Sequence, residues 1–303
     1  GEGWYLQRTH RLREALESTR AGVRLAEQVD DRRTQAFGKK CLGRLERLTA
    51  EYERRAAMAV AHLERSQALL AEAREMFFGI DGALSEEAGD CLSLEGRTWL
   101  YHHQLTGDVN ALGEARGCAA RAGELIPPNN SKDYWDLVIL NAELESVDRR
   151  HAVAQRLLNE AIERLEQSPD GARSEILARA YGSRAAVVEK RHNRADLVRV
   201  LRDLTAAEQI YQQFGQDHLA AEYRWRRALV DPASVTDLQL SRVELEELAR
   251  QEPDPVLRFA AIAELAAQER ARVGTSIGRR VKAVNWAAAL RRVRMDRAGT
   301  ENP

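Results

Sequence analysis

Lys40, Arg44 and Arg47 recur at i, i+4 and i+7, the spacing that brings one ammonium and two guanidinium groups onto one face of a helix. The chemistry open to such a face is recognition. Guanidinium forks grip carboxylates, so an acidic peptide segment or a free carboxylate terminus is the ligand they suit. Residues that would break bonds are not arranged to do so. His102 and His103 are adjacent, which on a helix turns their rings about 100° apart and keeps both from ligating one metal as HExxH does. The acidic pairs Glu86-Glu87 and Glu246-Glu247 have no Ser, Cys or His nucleophile with a base beside them, which leaves them as solvated faces or first-turn charges. GTSIGRR at 274–280 lacks the spacing and the Lys-Ser/Thr ending of a phosphate-binding loop. The expectation is a chain that is not an enzyme and holds no metal or other cofactor.

Those residues sit in a chain of 303 with 46 Lys and Arg against 47 Asp and Glu. That length is large for one compact core and allows either two domains or an elongated array. The longest apolar runs, AAMAVA at 56–61 and FAAIAELAA at 259–267, fall short of the roughly 20 residues a bilayer span needs. Cys41, Cys91 and Cys118 are odd in number and form neither a CxxC nor a Cys/His zinc spacing. They favour a reducing compartment, so a cytoplasmic location is expected. The opening GEGWYLQRTHRL has no Met and no signal-peptide pattern, and it reads as a piece of something larger.

The elements are helices. All seven prolines, at 127, 128, 169, 232, 253, 255 and 303, fall between apolar-periodic segments or at the end, as expected when Pro inside a helix costs about 3 kcal/mol. Ala, Leu, Glu and Arg dominate the segments between, and no β-branched cluster alternates with period two. The pattern predicts helices over 4–29, 32–50, 53–78, 85–106, 109–125, 132–149, 151–167, 173–191, 194–214, 217–230, 236–251, 255–272 and 277–296. Breaks are expected at Asp30-Asp31, at Gly79 with Gly82, at Gly107-Asp108, at PPNN from 127 and at Gly215. The short connections make successive helices antiparallel neighbours.

Small residues then recur at long range. Ala73, Ala115, Ala161 and Ala207 stand 42, 46 and 46 residues apart in alternate helices, and Gly43, Gly96, Ala142 and Gly182 occupy the helices between. A mid-helix Gly costs about 0.5–1 kcal/mol relative to Ala, and close approach of a paired helix is the simplest reason to keep one. With Trp99 three residues after Gly96, and Ala73/Phe77 and Ala207/Tyr211 in the second helices, the chain resembles the tetratricopeptide repeat family. DDRRTQAFGKKCLGRLERL followed by ALLAEAREMF is similar to the extended repeat arrays of bacterial STAND-type signalling NTPases. The resemblance implies an all-α, right-handed α-solenoid of about six hairpins with extended helices over 4–272, followed by a basic C-terminal helix and tail at 273–303. It implies a scaffold or sensor module for signal transduction, with the nucleotide-binding engine encoded elsewhere.

It also implies a concave wall built by the first helix of each pair. Carried over by position, the wall residues are Lys40, Arg44 and Arg47, then Ser93, Arg97 and Leu100, then Ile139, Glu143 and Ser146, then Arg179, Ser183 and Ala186. A mainly basic groove for a protein or peptide is expected, with Lys40, Arg44, Arg47, Arg97, Glu143, Arg179 and Ser183 as its contact residues. Trp99, Tyr101, Tyr134 and Trp135 are expected in the core between repeats. Residues 270–297 hold nine Lys and Arg and one Asp; they read as a capping helix, with a nucleic-acid or membrane contact, or the start of a further repeat, as alternatives. The rival functional readings are a peptide-pheromone-binding regulator and a cryptic all-helical enzyme.

Overall fold

The computed structural model describes residues 12–53, 56–128, 132–168, 174–189, 196–216, 219–220, 223–224 and 226–227. Among them are nine helices and no strand: α1 (Leu12–Gln28), α2 (Arg32–Tyr52), α3 (Ala56–Asp81), α4 (Glu86–Thr106), α5 (Val109–Leu125), α6 (Lys132–Val147), α7 (His151–Gln167), α8 (Glu175–Glu189) and α9 (Leu197–Gln213). The helices expected at 236–251, 255–272 and 277–296, and the basic C-terminal segment, lie outside the described residues. None of the described helices is long and apolar enough to cross a membrane.

Local chemistry sets the boundaries. Asp31 accepts the Thr34 amide at 3.0 Å to start α2, Ser85 accepts the Ala88 amide at 3.2 Å to start α4, and Asp108 accepts the Asn110 amide at 2.9 Å to start α5. The Thr34 hydrogen bonds hold the Asp31 carboxyl below its ordinary value. Gly107 ends α4 at φ 75°, its amide donating to the His103 carbonyl at 2.7 Å. Of the break expected at Gly79 with Gly82, the second residue makes the turn: α3 runs through Gly79 to Asp81, and the chain turns at Gly82, where φ is 83°. Phe77, packed in the core two residues before Gly79, and the partly buried Phe78 and Ile80 anchor this end of the helix.

Each helix packs on the next, and α2, α4, α6 and α8 also touch one another in succession. The first helices of the pairs α2–α3, α4–α5, α6–α7 and α8–α9 therefore form one continuous layer. The core follows the same order, as a series of clusters between helices. Ala36, Ala73, Phe77, Ala88 and Cys91 join α2, α3 and α4; Leu92, Ala115, Ala119 and Leu140 join α4, α5 and α6; Ile139, Leu158, Ala161, Ala178, Leu204 and Ala207 join α6 through α9.

Gly43, Gly96 and Gly182 lie at helix crossings. A methyl group on Gly43 would meet Leu70 Cγ at 2.6 Å and the Ser66 carbonyl oxygen at 3.1 Å, and Ser66 Oγ donates to the Gly43 carbonyl at 2.7 Å. One on Gly96 would meet Leu140 Cδ2 at 2.9 Å and the Ala115 carbonyl oxygen at 3.3 Å, and one on Gly182 would collide with the Tyr223 ring. Gly43→Ala is expected to lower stability by about 1–3 kcal/mol, because Leu70 is fully buried and has nowhere to move. Urea melts of the variant check this, since helix propensity alone would raise stability by about 1 kcal/mol. Trp99, expected in the core, is half-buried and stacks on His102 at a centroid separation of 5.8 Å. Trp135 is the fully packed aromatic of that group.

Candidate functional site

A cavity of about 410 Å³ opens on the layer of α2, α4, α6 and α8. α2 contributes Lys40, Cys41, Arg44 and Arg47, its i, i+4, i+7 stripe; α4 contributes Asp90 and Leu94. α6 contributes Lys132, Asp133 and Asp136; Ser174, Glu175, Ile176 and Arg179 come from the start of α8, and Phe214 from the end of α9. Ser174 fixes that start by accepting the Leu177 amide at 3.2 Å.

At one end the Lys40 ammonium lies 2.6 Å from Glu87 Oε2 and 2.9 Å from Asp90 Oδ2, and 4.8 Å from the centroid of the Phe37 ring. Burial favours loss of its proton, but the Asp90 and Glu87 carboxylates outweigh that effect, so the Lys40 pKa rises above the ordinary value. Asp133 stands beside this group. Asp133 is exposed to solvent and among the described residues makes neither an ion pair nor a hydrogen bond; the protein around its carboxyl and, after it, the negative charge of Asp90 raise its pKa above the ordinary value.

At the other end Asp136, 8 % exposed, receives Arg97 Nη2 on its carbonyl at 2.7 Å and on Oδ1 at 3.1 Å, while Arg179 Nη1 donates to the same Oδ1. Burial pushes the Asp136 carboxyl up, yet Arg179 and Arg97 prevail and hold it below its ordinary value. Arg97 reaches on to Glu143 Oε2 at 3.0 Å, and Ser183 Oγ donates to Glu143 Oε1 at 2.7 Å. Arg44 Nη2 approaches Glu175 Oε2 at 3.7 Å, joining α2 to α8. Arg47 pairs with Glu51 through Nη1, and its Nε is buried without a partner.

The seven residues expected to contact a ligand thus divide. Lys40, Arg44, Arg47 and Arg179 line the cavity, whereas Arg97, Glu143 and Ser183 form a network that ties α4, α6 and α8 together through Asp136. Leu100 and Ile139, carried over as wall positions, are core residues, and Ser93 is buried. The wall is also not the mainly basic surface expected: Asp90, Asp133, Asp136 and Glu175 alternate with the cations. A guanidinium that loses water needs a carboxylate in its place, and the neighbouring first helix supplies it. Sequence reasoning missed these acids, although a signal was present. Asp90 and Asp136 lie six positions before Gly96 and Ala142, and Glu175 lies seven before Gly182, so extending the same face by one turn would have found them.

The three cysteines are free thiols. Cys41 is exposed and lines the cavity; the protein around its thiol raises its pKa against the opposing charges of Lys40 and Arg44. Among the described residues no group of His, Cys, Asp and Glu is placed to hold a metal ion. What the arrangement can do chemically is place fixed charges of both signs around a guest. None of the family models, curated proteins or solved structures with which the chain was compared matches it.

Proposed function

We propose that the chain is a binding module, a right-handed α-solenoid of about six tetratricopeptide-like hairpins, that receives a protein or peptide segment in the charged cavity on its first-helix layer. The observation that carries this reading is the cavity itself: four successive first helices contribute charged side chains to one space of about 410 Å³, large enough for a few residues of a guest chain. Charged groups held in place by the cores behind them act as preorganised hydrogen-bonding partners. Arg44, Arg47 and Arg179 would take a carboxylate of the guest. A sensor or scaffold role in a larger bacterial STAND-type signalling protein accords with the tetratricopeptide resemblance. A cytoplasmic setting accords with three free thiols.

The test is capture of peptides by the purified chain, followed by the Arg44→Glu variant. Arg44 is the cavity arginine with the loosest pairing, so its reversal disturbs folding less than reversal of Arg47 or Arg179. Binding is expected to weaken by about tenfold or more on charge reversal, read by calorimetry at constant ionic strength. Binding that is indifferent to Arg44→Glu would move the guest to another surface. Turnover of a small molecule in the cavity would favour the enzymatic alternative.

A further inference from the structure

The two ends of the cavity differ in sign and in unused hydrogen-bonding capacity. Around Lys40 three carboxylates, Glu87, Asp90 and Asp133, face a single ammonium, and Asp133 has no partner within reach among the described residues. Farther along α2, Arg44, one turn on from Lys40, meets Glu175 at a loose 3.7 Å, and Arg47, two turns on, has its Nε buried with the proton unaccepted. Carboxylates dominate the first pole and guanidinium donors the second. Lys40 and Arg47 stand seven residues apart on one face of α2, which separates the poles by about 10 Å along the helix axis. An extended guest chain covers that distance in about three residues.

We infer that the cavity selects a peptide segment carrying both charges, with a carboxylate directed to Arg44 and Arg47 and an ammonium or guanidinium directed to Asp133 and Asp90, in preference to a purely acidic segment. The inference rests on the binding role proposed above and names the class of guest. A cation between Asp133 and Asp90 would give Asp133 the ion pair it lacks among the described residues and offset the repulsion between the two carboxylates. A guest with acidic groups alone would place a carboxylate against that pole and add to the repulsion. Lys132, exposed and free of ion pairs among the described residues, adds a further positive group to the cavity lining.

The test uses capped Gly/Ser heptapeptides bearing a neutral fluorophore and one charged pair three residues apart: Lys with Glu in both orders, Glu with Glu, and Lys with Lys. Polarisation titrations against the whole chain at pH 7.5 are expected to show one mixed peptide binding about tenfold more tightly than either single-sign peptide. Asp133→Asn, a surface change that leaves every packed contact in place, should bring the mixed peptide down to the level of the Glu–Glu peptide. If Glu–Glu binds as tightly as the mixed peptides to the native chain, the inference is overturned while the binding role stands. If none of the peptides binds, both are overturned.

Discussion

Arg97→Met is expected to cost about 3–5 kcal/mol of unfolding free energy at pH 7, because it breaks a buried ion network by removing only one partner. Arg97 is 7 % exposed and donates to the Asp136 carbonyl, to Asp136 Oδ1 and to Glu143 Oε2. Methionine replaces most of the apolar stem, so the loss is electrostatic and not a packing defect. Asp136 keeps Arg179, and Glu143 keeps the Ser183 hydroxyl, yet each loses its second donor at a site with little access to water. The pH dependence follows from sign. In the native chain the Asp136 carboxyl lies below its unfolded value, so its stabilisation is complete above about pH 4 and fades as the pH falls through the folded pKa. The gap between native chain and variant should therefore be widest near neutrality and shrink below about pH 4. Urea melts at pH 7 and pH 3.5 measure both gaps. A loss below about 1 kcal/mol at pH 7 would mean that the network is no more than a surface pair.

Phe77→Ala should be comparably severe, about 3–5 kcal/mol, but for the opposite reason, an apolar void. Phe77 is 0 % exposed and sits where α2, α3 and α4 meet, edge-on to Phe37 with centroids 5.0 Å apart. The methyl groups of Ala36, Ala73 and Ala88 that surround it cannot extend to fill the space. The Lys40 ammonium stands 5.6 Å from the Phe77 ring centroid, so the truncation also loosens the carboxylate pole of the cavity. Phe77→Leu, which keeps most of the volume, separates the effects: it should recover most of the stability in a denaturant melt. If Phe77→Ala were neutral, the helical crossings would not be the source of cohesion.

The helices could be read before the structure because their punctuation is chemical. Proline, the acidic or hydroxyl caps and Gly107 each dictate a backbone state, and α5 starts at the Asp108 cap that those signals mark. Gly79 misled because a breaker acts through propensity, which is weak against the packing of Phe77 two residues before it. The crossings at Gly43 and Gly96 were legible for the reverse reason, that a costly residue kept inside a helix needs a spatial cause. The cavity was half legible. Its cations follow the face of one helix, which periodicity reports. Its carboxylates come from helices tens of residues distant, and only the stacking of α2, α4, α6 and α8 brings them opposite. Arg97 illustrates the limit: its spacing assigned it to the right layer, while its burial depends on Asp136, which no local pattern pairs with it.

The contact between Arg44 and Glu175 joins residues 131 positions apart. With Arg44 37 % in solvent, such a pair contributes at most about 1 kcal/mol, so it works as a gauge and not as a strut. Helices that touch in succession can shift by small rotations shared among them, and this pair bridges α2 and α8 across the layer that α4 and α6 complete. Spectroscopic labels at its two ends would therefore sum those rotations into one distance, lengthening when a guest wedges the four helices apart and shortening when it draws them together.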